Sequence, residues 1–311
     1  MTFIKLAVSL FLIIFVLYFI DFRKLIHVIL KINQGLLLAA FFLVVLMHII
    51  NCFRWRMCLL EQSNKIYFFH LILVYWKAMF VSLFMPTEYG GDVLRVKFLW
   101  NKLDNNKLAL VSVFWSRVSG FLSMIILLLC VAPFFHSRYD FVSHNTMLMI
   151  AAIPLLLILM FCATEKLHQF VARYSNSSIV QRISLQMREV FALISEMATH
   201  KVYAWKIFLL SLISQIMMVV VNYIYAQSLA QPVDILDMLY FIPLLNIVSL
   251  LPITVGGLGL KEGAFVIFFS AIGITKENAL AIALLNRSVL ITLSLIGGLL
   301  FLCQTKDSYD K

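Results

Sequence analysis

LPITVGGLGLKEGAF, residues 251–265, interrupts a strongly apolar part of the chain with four of the protein's eleven glycines and a Lys-Glu pair. Pro252 cannot continue a helix, and the glycines free the backbone to turn. The apolar piece before it, 237–253, carries Pro243 and Pro252. The piece after it, 260–273, is too short to cross a bilayer unaided, which takes about 20 apolar residues. Together they spell a hairpin that enters the bilayer and returns. Such backbone is tolerated only where protein or a wet cavity covers it.

Composition agrees with that reading. Hydrophobic residues make up 63% of the chain, charged residues 13%, and the mean hydropathy is +0.98. An ordinary soluble domain is about half apolar and a quarter charged. The chain is therefore an integral membrane protein, not a soluble enzyme or a nucleic-acid binder. Further apolar segments fall near 3–20, 36–53, 67–86, 108–132, 147–163, 205–228 and 278–302. Runs of that length are spanning helices, whereas barrel strands are short and alternate. No small-x-small cleavage site follows the first run, which reads as an uncleaved helix. The five cysteines form no C-x-x-C, and the seven histidines have no metal-ligand spacing. No metal or cofactor is expected.

The hairpin has a twin. In MPTEYGGDVLRVKFL, residues 85–99, Pro86-x-x-x-Gly90-Gly91 repeats the spacing of Pro252-x-x-x-Gly256-Gly257. With six prolines and three Gly-Gly pairs in the chain, that coincidence argues for an internal repeat. A cation follows each proline by nine residues, Arg95 or Lys261. Each motif leads into an apolar helix holding an arginine, and the separations Asp92 to Arg117 and Glu262 to Arg287 are both 25 residues. The expected fold is an all-α polytopic membrane protein, residues 1–311 as one domain. About six full spans accompany two re-entrant hairpins in an inverted repeat, units 67–132 and 237–302.

With a cytoplasmic N-terminus, 16 Lys/Arg fall inside and five outside; if every segment crosses, the best split is 16 to 6. The positive-inside rule does not separate the two, but segment length and the repeat favour re-entrance, with the hairpins entering from opposite sides around one midplane site. Both termini are then cytoplasmic. The net charge of +10 reads as the cytoplasmic cation excess or as affinity for anionic headgroups. Within the cytoplasmic linker 164–204, the stretch 178–197 has helical apolar spacing. It reads either as an amphipathic helix on the membrane face or as one packed on the bundle.

A charge at membrane depth costs at least about 2.5–3.5 kcal/mol and is a functional hypothesis by default. The candidates are Lys77, Asp92, Arg95, Arg117, Lys261, Glu262 and Arg287. Asp92–Arg117 and Glu262–Arg287 could be pairs that pin each hairpin to its next helix, or parts of a substrate site. Glycines allow close backbone approach, free helix N-termini suit phosphate, and arginine grips phosphate through two parallel bonds. The substrate-binding candidates are therefore Arg95, Arg117, Lys261, Arg287, Gly90, Gly91, Gly256 and Gly257. Asp92 and Glu262 serve as counter-ions or coupling groups. His48, Asn51, Gln215, Asn222 and Asn246 read first as interhelical hydrogen-bonding residues. Arg54, Trp55 and Arg56, at a helix end, read as an interfacial anchor.

RWRMCLL, MPTEYGGDVLRVKFL, FWSRVSGFL and LPITVGGLGLKEGAFVIFFSAIGITKENALAIALLNR together resemble the lysylphosphatidylglycerol synthase/flippase transmembrane family, over nearly the whole chain. The resemblance implies lipid translocation between leaflets, or support of aminoacyl-lipid or lipid-linked sugar pathways. The chain stops at Lys311 without the aminoacyl-transferring domain, so no synthase is expected. Ser116-Arg117 stands where the family often has Asp-Arg. The expected function is a flippase, without chemistry of its own, for a phosphate-bearing lipid of the bacterial inner membrane: phospholipid, aminoacyl-phospholipid or polyprenyl-linked. The alternatives are an integral membrane transferase, or an accessory subunit of a partner glycosyltransferase or lipid-modifying enzyme.

Overall fold

The computed structural model describes residues 21–59, 66–85, 90–100, 102–103, 105–136, 193–196, 199–249, 254 and 257–303. The expected first helix, the 147–163 segment, most of the 178–197 stretch and Gly256 lie outside them. Of that stretch, 193–196 is helical, and Ile194 is buried with Cys58, Val111 and Ile207. No strand occurs among the described residues.

A short helix α1, Phe22–Leu30, comes first. The apolar runs do not announce it, because Arg23, Lys24 and His27 interrupt its apolar residues along the chain while sharing one polar face of the helix. Its N-cap is Asp21, whose Oδ1 accepts from the Arg23 and Lys24 N–H groups. Leu25 is buried, while Ile26, Ile29 and Leu30 face outward, the pattern of a helix lying in a membrane interface.

Two matched sets of helices follow. The first is α2 (Gln34–Met57), α3 (Phe68–Phe84), α4 (Asp92–Trp100) and α5 (Asn106–His136). The second is α6 (Lys201–Ser228), α7 (Ile235–Ser249), α8 (Leu260–Ala271) and α9 (Lys276–Cys303). Each set runs long helix, short apolar helix, shorter helix, long helix. α2, α5, α6 and α9 are long and apolar enough to cross a membrane, whereas α3 and α7, of 17 and 15 residues, are shorter. Pro243 lies within α7, so the chain breaks after it rather than at it.

The sets are inverted with respect to each other. Their lead helices α2 and α6 pack antiparallel: Asn33 N–H donates to Ser228 C=O at one end, and Arg54 to Ser211 Oγ at the other. They also interlock, with α3 packed on α9 and α7 on α5. One apolar core spans both sets, from Val44 on α2 through Leu128 on α5 to Phe265 on α8 and Leu293 on α9.

The packing of the start of α4 on α3 depends on Gly91. Its N–H donates to Ser82 Oγ at 3.0 Å, and a Cβ there would sit 1.9 Å from Ala78 C=O. Gly91→Ala must push α4 off α3. It is expected to cost about 1–3 kcal/mol, read as a lowered melting midpoint of the purified protein.

Candidate functional site

The expected charged residues gather into two clusters, one per helix set. In the first, Asp92 opens α4 and faces α5. Arg117 grips its carboxylate through two parallel bonds, Nε to Oδ2 at 2.8 Å and Nη2 to Oδ1 at 2.9 Å. Arg95, one turn along α4, adds Nη1 to Oδ1 at 3.0 Å. The turn joining α4 to α5 makes them antiparallel, so the pair sits at the end away from their connection. Arg117 is about half exposed, whereas the Arg95 side chain is only 5% exposed.

Arg95 is held by aromatic rings as well as by charge. Its guanidinium lies 4.2 Å over the Trp55 ring and 5.1 Å from the Tyr75 ring, geometry that attracts a cation to the ring faces. Trp55 donates from Nε1 to Ser112 Oγ at 3.3 Å, which fixes its plane between α2 and α5.

The interfacial anchor expected at the end of α2 is therefore corrected. Trp55 is fully buried and Arg54 is 9% exposed, because α3, α4 and α5 close over that end of α2. Arg54 donates to Ser211 Oγ at 3.1 Å, and Ser211 to Ser119 Oγ at 3.1 Å. Arg56 alone stays partly exposed, over the Phe68 ring.

The second cluster repeats the first. Glu262 lies in the first turn of α8, and Arg287 on α9 donates from Nε to its Oε1. The other carboxylate oxygen accepts the Gly259 N–H at 2.8 Å. Gly259 caps α8 at φ 80°, in the left-handed region that favours glycine. Glu262, Lys261, Asn286 and Arg287 line a cavity of about 10 Å³, close to the least that holds one water. Arg117 follows the first residue of α5 by 11 positions, and Arg287 follows the first residue of α9 by 11.

Three features bear on the expected site. The helix N-termini expected to suit phosphate carry the chain's own acids, Asp92 on α4 and Glu262 on α8, which suit the positive dipole end. Gly91 packs against α3, and a side chain on Gly90 would strike Met85. The charges also sit at two levels. The first cluster adjoins Ser211 on α6, and the second adjoins Asn222, which accepts from Asn286 Nδ2 at 3.0 Å. Eleven helical residues between them make about 16 Å.

The polar residues expected as interhelical glue mostly act so. Ser214 donates to Asn51 Oδ1, and Gln215 donates to Gly120 C=O. His48 differs, since both its buried ring nitrogens lack a hydrogen-bond partner among the described residues; its ring lies 6.0 Å from that of Tyr75. Lys77 is 1% exposed on α3.

Comparison with known proteins agrees with a membrane-spanning chain. A family profile described as "Lysylphosphatidylglycerol synthase TM region" matches residues 2–298. A UPF0104 membrane protein of Methanocaldococcus jannaschii is 25% identical over 326 residues, covering 99% of this chain and 96% of its own.

Proposed function

The chain belongs to the lysylphosphatidylglycerol synthase transmembrane-region family, and from that premise we propose that it moves a phosphate-bearing lipid between the leaflets of the cytoplasmic membrane. The observation that carries the reading is the pair of inverted carboxylate–arginine clusters at different depths. Each hairpin, α3–α4 and α7–α8, enters from one side and presents its cluster there. Inverted repeats with broken helices are the architecture of many transporters. A carboxylate that neutralises an arginine in the empty site can yield it to a phosphate, which accepts the same two parallel bonds. Arg95 and Arg117 receive the headgroup on one side, and Arg287 with Lys261 on the other. Asp92 and Glu262 hold the charges balanced between cargoes. The cavity beside Glu262 is too small for a headgroup, so α8 and α9 must part to admit one.

The test is reconstitution in vesicles of phosphatidylcholine and phosphatidylglycerol carrying a trace of fluorescent phosphatidylglycerol. Quenching from outside should reveal movement at least tenfold faster than in protein-free vesicles. Movement at the protein-free rate, with fluorescent phosphatidic acid tried as well, would overturn the proposal.

A further inference from the structure

We propose that one inward face of α6 is an anion-selective path along which a headgroup passes between the two clusters. The path rests on the translocation reading for the lipid nature of its cargo, and it narrows that cargo to headgroups of net negative charge.

Helical spacing draws the path. Ser211, Gln215 and Asn222 follow one another at four and seven residues, with Ser214 beside them, so they share one face of α6. Ser211, Ser214 and Asn222 are buried, whereas Ile213 and Ile216 on the other side of the helix face outward. Met218, with its flexible side chain, stands between Gln215 and Asn222 on the same face. Each polar group bonds to a facing helix. Ser211 donates to Ser119 Oγ at 3.1 Å, Ser214 to Asn51 Oδ1 at 3.0 Å, and Gln215 to Gly120 C=O at 3.2 Å. Asn222 accepts from Asn286 Nδ2. A cavity adjoins each end. Ser119 lines a groove of about 450 Å³ between α5 and α6, together with Trp115, Leu122, Lys201 and Trp205. Asn286 lines the small cavity beside Glu262 and Arg287.

Hydroxyls and amides so arranged also hold helices together, and Arg54 adds what such glue lacks. It is 9% exposed and donates from Nη1 to Ser211 Oγ at 3.1 Å, while its Nε has no partner among the described residues. Gly120 makes room for it, since a Cβ there would lie 3.2 Å from Nη1. Arg54 is within electrostatic range of Arg95, which joins this end of the path to the first cluster. A buried cation is costly unless paired. Yet α2, α5 and α6, the three helices that meet at Arg54, contain no Asp or Glu. The buried acids among the described residues, Asp237 and Glu262, lie in the first turns of α7 and α8. A passing anion supplies the counter-charge that these helices lack, and a cationic headgroup meets no carboxylate on them.

Ser211→Cys, Ser214→Cys and Asn222→Cys are each reconstituted in vesicles of phosphatidylcholine and phosphatidylglycerol. Methanethiosulfonates bearing a sulfonate or a trimethylammonium group are then added. Adduct mass is read against the wild-type chain, whose own five cysteines set the baseline. With rates normalised to those of a free thiol, the sulfonate should react about tenfold faster than the cation, the size of one charged contact. Ile213→Cys, on the outward face, should stay at the baseline. Adding Arg54→Gln, or Arg54→Met if that fails to fold, should cut the preference to about twofold or less. A monodisperse gel-filtration peak qualifies every variant. Path cysteines at the baseline would overturn the proposal, as would equal reaction with both reagents or a preference that survives the loss of Arg54. Anion preference alongside lipid flux at the protein-free rate keeps the path and removes translocation. Rapid phosphatidylglycerol flux with unreactive path cysteines keeps translocation and removes the path.

Discussion

Asp92→Asn is expected to destabilise the protein by about 3 kcal/mol or more and to abolish lipid movement. Asp92 accepts from Arg117 at 2.8 and 2.9 Å and from Arg95 at 3.0 Å. Asparagine keeps the shape and one acceptor but removes the charge. Arg117, about half exposed, can swing its head towards water. Arg95 cannot, because it is buried and stacked on Trp55. Breaking a buried pair by removing one partner costs about 3–5 kcal/mol, since the other charge stays behind uncompensated. Here the loss also adds to repulsion from Arg54. Thermal melting of the purified variant checks the stability, and the vesicle assay checks the flux. A midpoint equal to wild type would show that Arg95 has another counter-charge and that Asp92 is not the keystone of the cluster.

Much of this was legible in the sequence because it depends on separations along the chain. The 25-residue spacing of Asp92–Arg117 and Glu262–Arg287 reappears as two ion pairs, since each acid opens a short helix antiparallel to the helix carrying its arginine. The helix-break-helix pattern at Gly91 and Gly257 reappears as two hairpins for the same reason. What failed to show depends on which surfaces meet. Arg54-Trp55-Arg56 has the composition of a membrane-interface anchor, and only the arrival of α3 and α4 over the end of α2 turns it inward. The burial of His48, whose ring nitrogens lack a hydrogen-bond partner among the described residues, and the interlocking of α3 with α9 likewise arise from contacts far apart in sequence. The two levels of charge follow from the antiparallel pairing of α2 and α6, which no local motif encodes.

The Glu262–Arg287 pair separates a strut from a binding group. Arg287→Gln leaves Glu262 buried with only the Gly259 N–H among the described residues, at an expected cost of about 3 kcal/mol. Glu262→Gln removes the carboxylate to which Arg287 Nε donates and should also lower stability. The double variant Glu262→Gln with Arg287→Gln removes both charges, and two amides can still bond to each other. Replacing a buried pair by neutral groups is often close to neutral in stability, so the melting midpoint should return most of the way to wild type. Transport should not return, because a glutamine cannot present the charged two-pronged edge that a phosphate needs. Vesicle flux at the protein-free rate in a double variant of near-normal stability assigns the pair to the cargo. Flux restored along with stability would make the pair a strut between α8 and α9, and the headgroup contacts would then rest on the first cluster alone.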